Sequence, residues 1–458
     1  MGEHPWSTAR RLERYTGGVN MTIDEGTQDR ALSGSVASYR RTTGRDLLER
    51  WTEHYEWLEA RSDFGVEPYS KYTASRIAPI TEAYNRRGDL LGGGPAINFA
   101  SQDYLSLSAH PHVLEAAKTA VDLYGVHSAG SAALMGGTHL TQILERRLAQ
   151  HLRVTDCTVF PTGWGAGYGV VRTLVSPQDH VVMDAIAHAC LQEGARAATK
   201  NVHLFSNNSF EEAARVLEHV RSQHPDAGIL LVTEGVFSMD STVPNVKAFQ
   251  ALARQHGATL VVDVAHDLGC LGTHGGGVLE LQDMLGEVDV VMGSFSKTFA
   301  SNGGFVATNH KALKLALRYN CGPLTFTNAL SPVQAACVLA ALDVVQSDEG
   351  HERRERLMHN SLHLREALTS SGFEVMGEPS AIVPVVLGSP AQARLMTREV
   401  VSLGFLVNLV EYPAVAKNAS RWRLQVMADH EQQHVDALVK ALGTVRAALH
   451  EQRATSSA

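Results

Sequence analysis

Between Ile97 and Asn309 short apolar runs alternate with amphipathic segments, and this alternation constrains the fold more than any other feature of the chain. The apolar runs are Thr158–Phe160, His180–Met183, Val202–Phe205, Gly228–Thr233, Thr259–Val264, Val288–Gly293 and Gly304–Ala307. Each is too short for a helix spanning a core and reads as a strand buried on both faces. Helical periodicity occupies intervening segments, among them Thr141–Leu152, Phe210–Ser222 and Val246–Gln255. Strand–helix alternation predicts an α/β fold with a mostly parallel seven-stranded sheet covered by helices. In such sheets ligands bind beyond the carboxyl ends of the strands.

The flanks read differently. Residues 1–45 are polar and predict a mobile or loosely docked extension, with Met21 as a second candidate start. A helical segment follows within 46–95, where Leu47, Leu48, Trp51, Tyr55 and Leu58 share one face; Gly88–Pro95 then marks a loop. The large domain is expected over 96–331 and a small C-terminal α+β domain over 332–450, with a polar tail at 451–458.

The 458 residues are 44% hydrophobic and 19% charged, which excludes a largely disordered protein. A net charge of −8 argues against nucleic acid as partner. No run of 18 apolar residues predicts a transmembrane helix, the start lacks a signal-peptide core, and Trp6 breaks the myristoylation pattern. Five cysteines without a CxxC pair read as reduced thiols of a cytoplasmic protein.

Four clusters close predicted strands. Pro161–Gly167 (PTGWGAG) is a glycine-rich strand-to-helix turn, which either seats a phosphate or simply turns tightly. Asp184–Cys190 (DAIAHAC) presents His188, which alone would more often be a satisfied structural histidine than a functional one. Val262–Asp267 (VDVAHD) puts Asp263 at the end of a strongly apolar strand, where a carboxylate is costly unless a cation pairs with it. Gly293–Phe299 (GSFSKTF) puts Lys297 among hydroxyl and apolar groups, a setting that suits Schiff-base chemistry.

The combination is far more specific than its members. A phosphate turn, a histidine 24 residues after Trp164, a strand-end Asp and a Lys 34 residues beyond it match what pyridoxal 5′-phosphate (PLP) requires. The turn would hold the phosphate, His188 stack on the ring, Asp263 keep the ring nitrogen protonated and Lys297 bind the aldehyde.

From about Tyr69 to Leu442 the chain resembles the α-oxoamine synthases, fold-type I PLP enzymes that include bacterial serine palmitoyltransferase and 8-amino-7-oxononanoate synthase. The resemblance is carried by NFASQDYLSL (Asn98–Leu107), the 162–167 turn and TEGVFSMD (Thr233–Asp240). DVAH (Asp263–His266), SFSK (Ser294–Lys297), and Arg423 seven residues before His430 complete it. It implies Lys297, His188, Asp263 and His266 as catalytic residues. Cofactor contacts would come from Gly163, Trp164, His188, Ser238, Asp263, His266, Ser294, Lys297 and Thr327, the last from the partner subunit of a homodimer. Arg423 would hold the amino-acid carboxylate, with Gln102 nearby, and no metal is implied. The implied reaction is a decarboxylative condensation of serine, glycine or alanine with an acyl thioester, on CoA or a carrier protein, giving an α-amino ketone, CO₂ and free thiol.

Several positions depart from the family pattern: Val264, Gln102, Ser106, Ala132, Met135, Gly136–Gly137, Thr141 and Gly167. In the family most of these border the amino-acid carboxylate and the thioester entrance, so the expectation is a kept core reaction with altered substrates, in specialised metabolism. Three other readings compete. An aminotransferase or aldolase would use the same PLP residues. A regulatory subunit of a heteromeric synthase would lack the lysine that Lys297 supplies. His430-Glu431-Gln432-Gln433-His434 fits the HExxH zinc pattern, although His430 should stand at a helix start rather than inside one.

Overall fold

All seven apolar runs become strands of one sheet in the computed structural model, which describes residues 25–39 and 41–456. They are β1 (Asp156–Phe160), β2 (His180–Asp184), β3 (Val202–Phe205), β4 (Ile229–Glu234), β5 (Thr259–Asp263), β6 (Val290–Ser294) and β7 (Gly304–Thr308). Their spatial order is β1-β7-β6-β5-β4-β2-β3. Only β7 runs against its neighbours, pairing antiparallel with β6 and β1. Strands β2, β4 and β6 are buried along nearly their whole length, as a sheet covered on both faces requires.

The chain divides into two compact units. The larger comprises Ser101–Pro384 with Gln425–Val435, and the smaller the chain up to Ala100 with Val385–Leu424 and the end from Asp436. The boundary expected near 331 therefore falls inside the larger unit. The reason lies in the Pro332–Val345 helix, which is apolar nearly all round and buries nine residues against the Pro111–Tyr124 and His139–His151 helices.

In the smaller unit two expectations are corrected. Leu47, Leu48, Trp51 and Tyr55 are exposed; the Thr52–Asp63 helix instead buries Trp57, Ala60 and Arg61. A buried ion network outweighs the apolar stripe here. Glu411 bridges Arg61 (3.0 Å) and Arg394 (2.7 Å), and both guanidinium groups lie against the Trp57 ring. The described part of the extension is also firmly docked: Arg394 donates to the carbonyls of Ala31, Ser33 and Gly34, and Trp57 Nε1 donates to Ser33 O. Residues 1–24, including Met21, lie outside the described residues. The expected tail is the end of the Gln432–Ser456 helix, its last two residues again lying outside.

No described helix is long and apolar enough to cross a membrane.

Candidate active site

Seven of the residues singled out in the sequence line one cavity of about 230 Å³ at the carboxyl ends of the strands: Gly163, Trp164, His188, Asp263, His266, Ser294 and Lys297. They arrive from four strand ends. β1 leads through Thr162 into the Gly163–Leu174 helix, β2 delivers His188, β5 ends on Asp263, and β6 ends on Ser294 three residues before Lys297.

The helix after β1 opens with four glycines in seven positions, which costs about 0.5–1 kcal/mol each relative to alanine. Close packing accounts for them. A Cβ at Gly163 would stand 2.4 Å from Ser294 Oγ, and one at Gly304 would stand 2.6 Å from Gly163 Cα. Thr162 Oγ1 caps the helix by accepting from Gly165 N (2.9 Å), so the N–H groups of Gly163 and Trp164 lie outside the helical ladder. Backbone amides and the Ser294 and Ser296 hydroxyls, 2.7 Å apart, thus converge where an anion is favoured.

His188 caps the next helix, its Nδ1 accepting from Cys190 N, and its ring meets Trp164 edge-on at 6.0 Å. His266 is buried, with Nδ1 2.8 Å from the hydroxyl of the fully buried Tyr104. Asp263 is 6% exposed and accepts from Ala265 N (2.9 Å). Burial pushes its carboxyl up, while His188 and Lys297 pull it back toward the ionised form.

Glu234 also lines the cavity and was not singled out. It lies beside Asp263 in the parallel register of β4 and β5, and accepts from His188 N. Burial, and then the charge of Asp263, hold its carboxyl well above the usual range. The signal that marked Asp263, an acidic residue ending an apolar strand, was present here too. Tyr104, Thr162, Cys190 and Ser296 were likewise missed, because their roles depend on contacts with residues remote in sequence or on a loop's path.

Four expected residues do not line the cavity. Ser238 is buried in the loop after β4, and Gln102 is half-buried. Thr327 is exposed and donates to Pro323 O (2.6 Å). Arg423 belongs to the smaller unit, where its N–H donates to Asn408 O (2.9 Å). In the HExxH stretch, His430 precedes the Gln432–Ser456 helix. Its Nδ1 accepts from Met427 N, and that of His434 accepts from Glu431 N, which engages each ring in capping. Among the described residues no group of three ligating side chains is assembled.

The cavity suits PLP on its own chemistry: amides and hydroxyls for the phosphate, a buried carboxylate for a protonated ring nitrogen, and a half-buried amine for the aldehyde. The comparisons with known proteins agree. The aminotransferase class I and II family profile matches residues 95–442. The 2-amino-3-ketobutyrate coenzyme A ligase of Escherichia coli K12 is 32% identical over 366 residues, 79% of this chain and 90% of that protein. The 8-amino-7-oxononanoate synthase of Geobacter metallireducens is 33% identical over 358 residues, 77% of this chain and 90% of that protein. The solved serine palmitoyltransferase of Sphingomonas wittichii superposes with a TM-score of 0.82 at 29% identity, over 88% of this chain and 99% of that one. The chain therefore belongs to the aminotransferase class I and II family and, within it, to the α-oxoamine synthases, fold-type I enzymes that use PLP to transfer acyl groups to carbon.

Proposed function

We propose that the protein condenses a small L-amino acid (serine, glycine or alanine) with an acyl thioester on CoA or a carrier protein, releasing CO₂ and free thiol. The observation that carries this reading is the meeting of Lys297, His188, Asp263 and the start of the Gly163–Leu174 helix in one cavity. Bound PLP supplies an electron sink for the pair of electrons left at Cα. The residues of the chain do the rest. Lys297 holds the cofactor aldehyde and then moves the proton at the amino acid's Cα. Asp263 would keep the ring nitrogen protonated, His266 and His188 would hold the ring, and His188 would also orient the amino acid. Gly163, Trp164 and Ser294 hold the phosphate, while Arg423 binds the carboxylate through its planar fork.

The substrates differ from those of the named relatives. Met135 stands 90% exposed on a loop closed so tightly that a Cβ at Gly136 would lie 1.8 Å from Gly130 O. At the end of this loop Thr141, where the family pattern has histidine, is spent on a reciprocal cap with Thr138. Efficient turnover of L-serine with palmitoyl-CoA would overturn this part of the reading.

We read the active form as a homodimer in the cytoplasm, with Thr327 reaching the partner's cofactor. Leu134, Met135 and Phe326 are each at least 85% exposed, on segments joined by the Ala329 N to Gly130 O bond (2.8 Å). Such an apolar surface is the kind that a second subunit covers. A monomer by light scattering would contradict it. The five free thiols suit a reducing compartment.

The test is an absorbance titration of the PLP-loaded protein with glycine, L-alanine and L-serine, followed by an acyl thioester. A spectral change with one amino acid, then CO₂ and free thiol on adding thioester, supports the synthase. Conversion of the cofactor to its pyridoxamine form would instead identify an aminotransferase.

A further inference from the structure

Gly167, Cys190 and His188 form a contact chain that family membership does not account for. Gly167 replaces the asparagine of the family pattern in the middle of a helix, and a Cβ there would stand 2.4 Å from Cys190 Sγ and 3.1 Å from Met292 Cε. The glycine thus makes room for the sulfur. With that room, Cys190 Sγ lies 2.9 Å from His188 Nδ1, and the Cys190 amide N–H points at the same nitrogen from 3.3 Å.

The two contacts together decide where the ring's hydrogen sits. A backbone N–H can only donate, so Nδ1 must carry its lone pair toward Cys190. The thiol then meets an acceptor and donates its own S–H. Cys190 is 1% exposed, and burial pushes its thiol up, so the hydrogen stays on sulfur; a nucleophilic or redox role for this cysteine is correspondingly disfavoured. A neutral imidazole accepting at Nδ1 carries its hydrogen on Nε2.

We propose that Cys190 is a positioning residue that locks His188 into the Nε2–H tautomer, and that Gly167 is the residue that admits it. This rests on the reading of the cavity as a PLP site only for its purpose: the lock fixes the lone pair of the ring at Nδ1 and so sets the orientation in which His188 faces a bound cofactor. The lock itself is a property of the protein without cofactor.

The experiment is ¹⁵N NMR of the histidine-labelled, cofactor-free protein at neutral pH, with the His188 signals assigned by their loss in His188→Asn. The wild type should show an acceptor-type Nδ1 and a protonated-type Nε2. Cys190→Ala and Gly167→Ala should move both nitrogens toward the averaged signature of exchanging tautomers, while Cys190→Ser, which keeps a donor but loses volume, should retain the wild-type signature. If cysteine merely filled space, serine would behave like alanine. A protonated Nδ1 in the wild type, or unchanged signals in both alanine variants, overturns the proposal, and the wild-type spectrum decides even if a variant fails to fold. PLP binding by the wild type, read separately by absorbance, tests the cavity reading. A locked histidine without PLP binding would sink that reading alone; PLP binding without a locked histidine would sink this proposal alone.

Discussion

Glu234 and Asp263 sit side by side at the carboxyl ends of β4 and β5, paired in register and only 2% and 6% exposed. Two carboxylates so placed cannot both ionise cheaply, and the structure separates their tasks. Burial raises both carboxyls; Glu234 accepts from His188 N, while Asp263 lies near the positive charge of Lys297.

The separation predicts unequal mutants. Asp263→Asn removes the charge that stabilises a protonated ring nitrogen and should slow exchange of the substrate Cα proton by roughly 10²-fold or more. Glu234→Gln keeps an oxygen for the His188 amide and should cost less than about tenfold. Deuterium exchange of glycine Cα–H in the PLP-loaded variants measures both. Equal losses would mean that the pair works as one unit.

Asp267 should make the fold lose stability as pH rises from acid to neutral. Its Oδ2 accepts from Val278 N (2.7 Å), its Oδ1 has no partner, and burial raises the carboxyl to about 7 from 3.8. Because the folded value is raised, the fold favours the protonated acid, and that stability fades as pH climbs from about 4 to about 7. Asp267→Asn should therefore stabilise the protein by an amount on the order of 2–4 kcal/mol above pH 7 and little at about pH 4. Urea titrations at the two pH values check it; a gain that ignores pH would point to packing instead.

The opposite slope is expected from three histidines at the other ends of the strands. His180 Nδ1 lies 3.0 Å from His203 Nε2, and the His224 ring centroid is 4.5 Å from that of His180. Burial first, then neighbouring histidines, lower the values of His180 and His203 below 6.5. Groups lowered in the fold are neutral there, so their stability is complete above about pH 6.5 and is lost as pH falls below it. The melting temperature should drop between about pH 7 and pH 5, and His203→Gln should flatten that drop. An unchanged slope in the variant would exclude the stack as its source.

Glu411 should be the most sensitive position of the smaller unit. It pairs with Arg61 and Arg394, both fully buried, and Glu67 is the second carboxylate of the set, 3.0 Å from Arg61. Removing one member of such a set leaves buried charge uncompensated and typically costs about 3–5 kcal/mol, so Glu411→Ala should destabilise by that order. Arg394 also holds the carbonyls of Ala31, Ser33 and Gly34, and the same variant should therefore open the Glu25–Leu32 helix to protease. Wild-type proteolysis kinetics in the variant would show the network to be dispensable.

Local pattern was enough for much of this. The apolar runs of β1 to β7 are visible as strands because a doubly covered strand must be apolar at every position, and the residues closing those strands are visible because polar groups there are otherwise costly. Asp263, Lys297, His188 and the Gly163 turn were legible on those grounds. Periodicity misled where charge took over the burial, as at Trp57 and Arg61, whose helix turns its apolar stripe to solvent.

Chain order alone determined the parallel sheet, the end of it that carries the chemistry, and the residue types gathered there. Only the tertiary structure decided which of them meet: Glu234 beside Asp263, Tyr104 on His266, and Cys190 on His188 in the space that Gly167 leaves. These are contacts between residues separated by up to 162 positions, or fixed by a loop's path. They depend on strand register and on the volume of neighbouring side chains, and neither quantity is written in any local run of sequence.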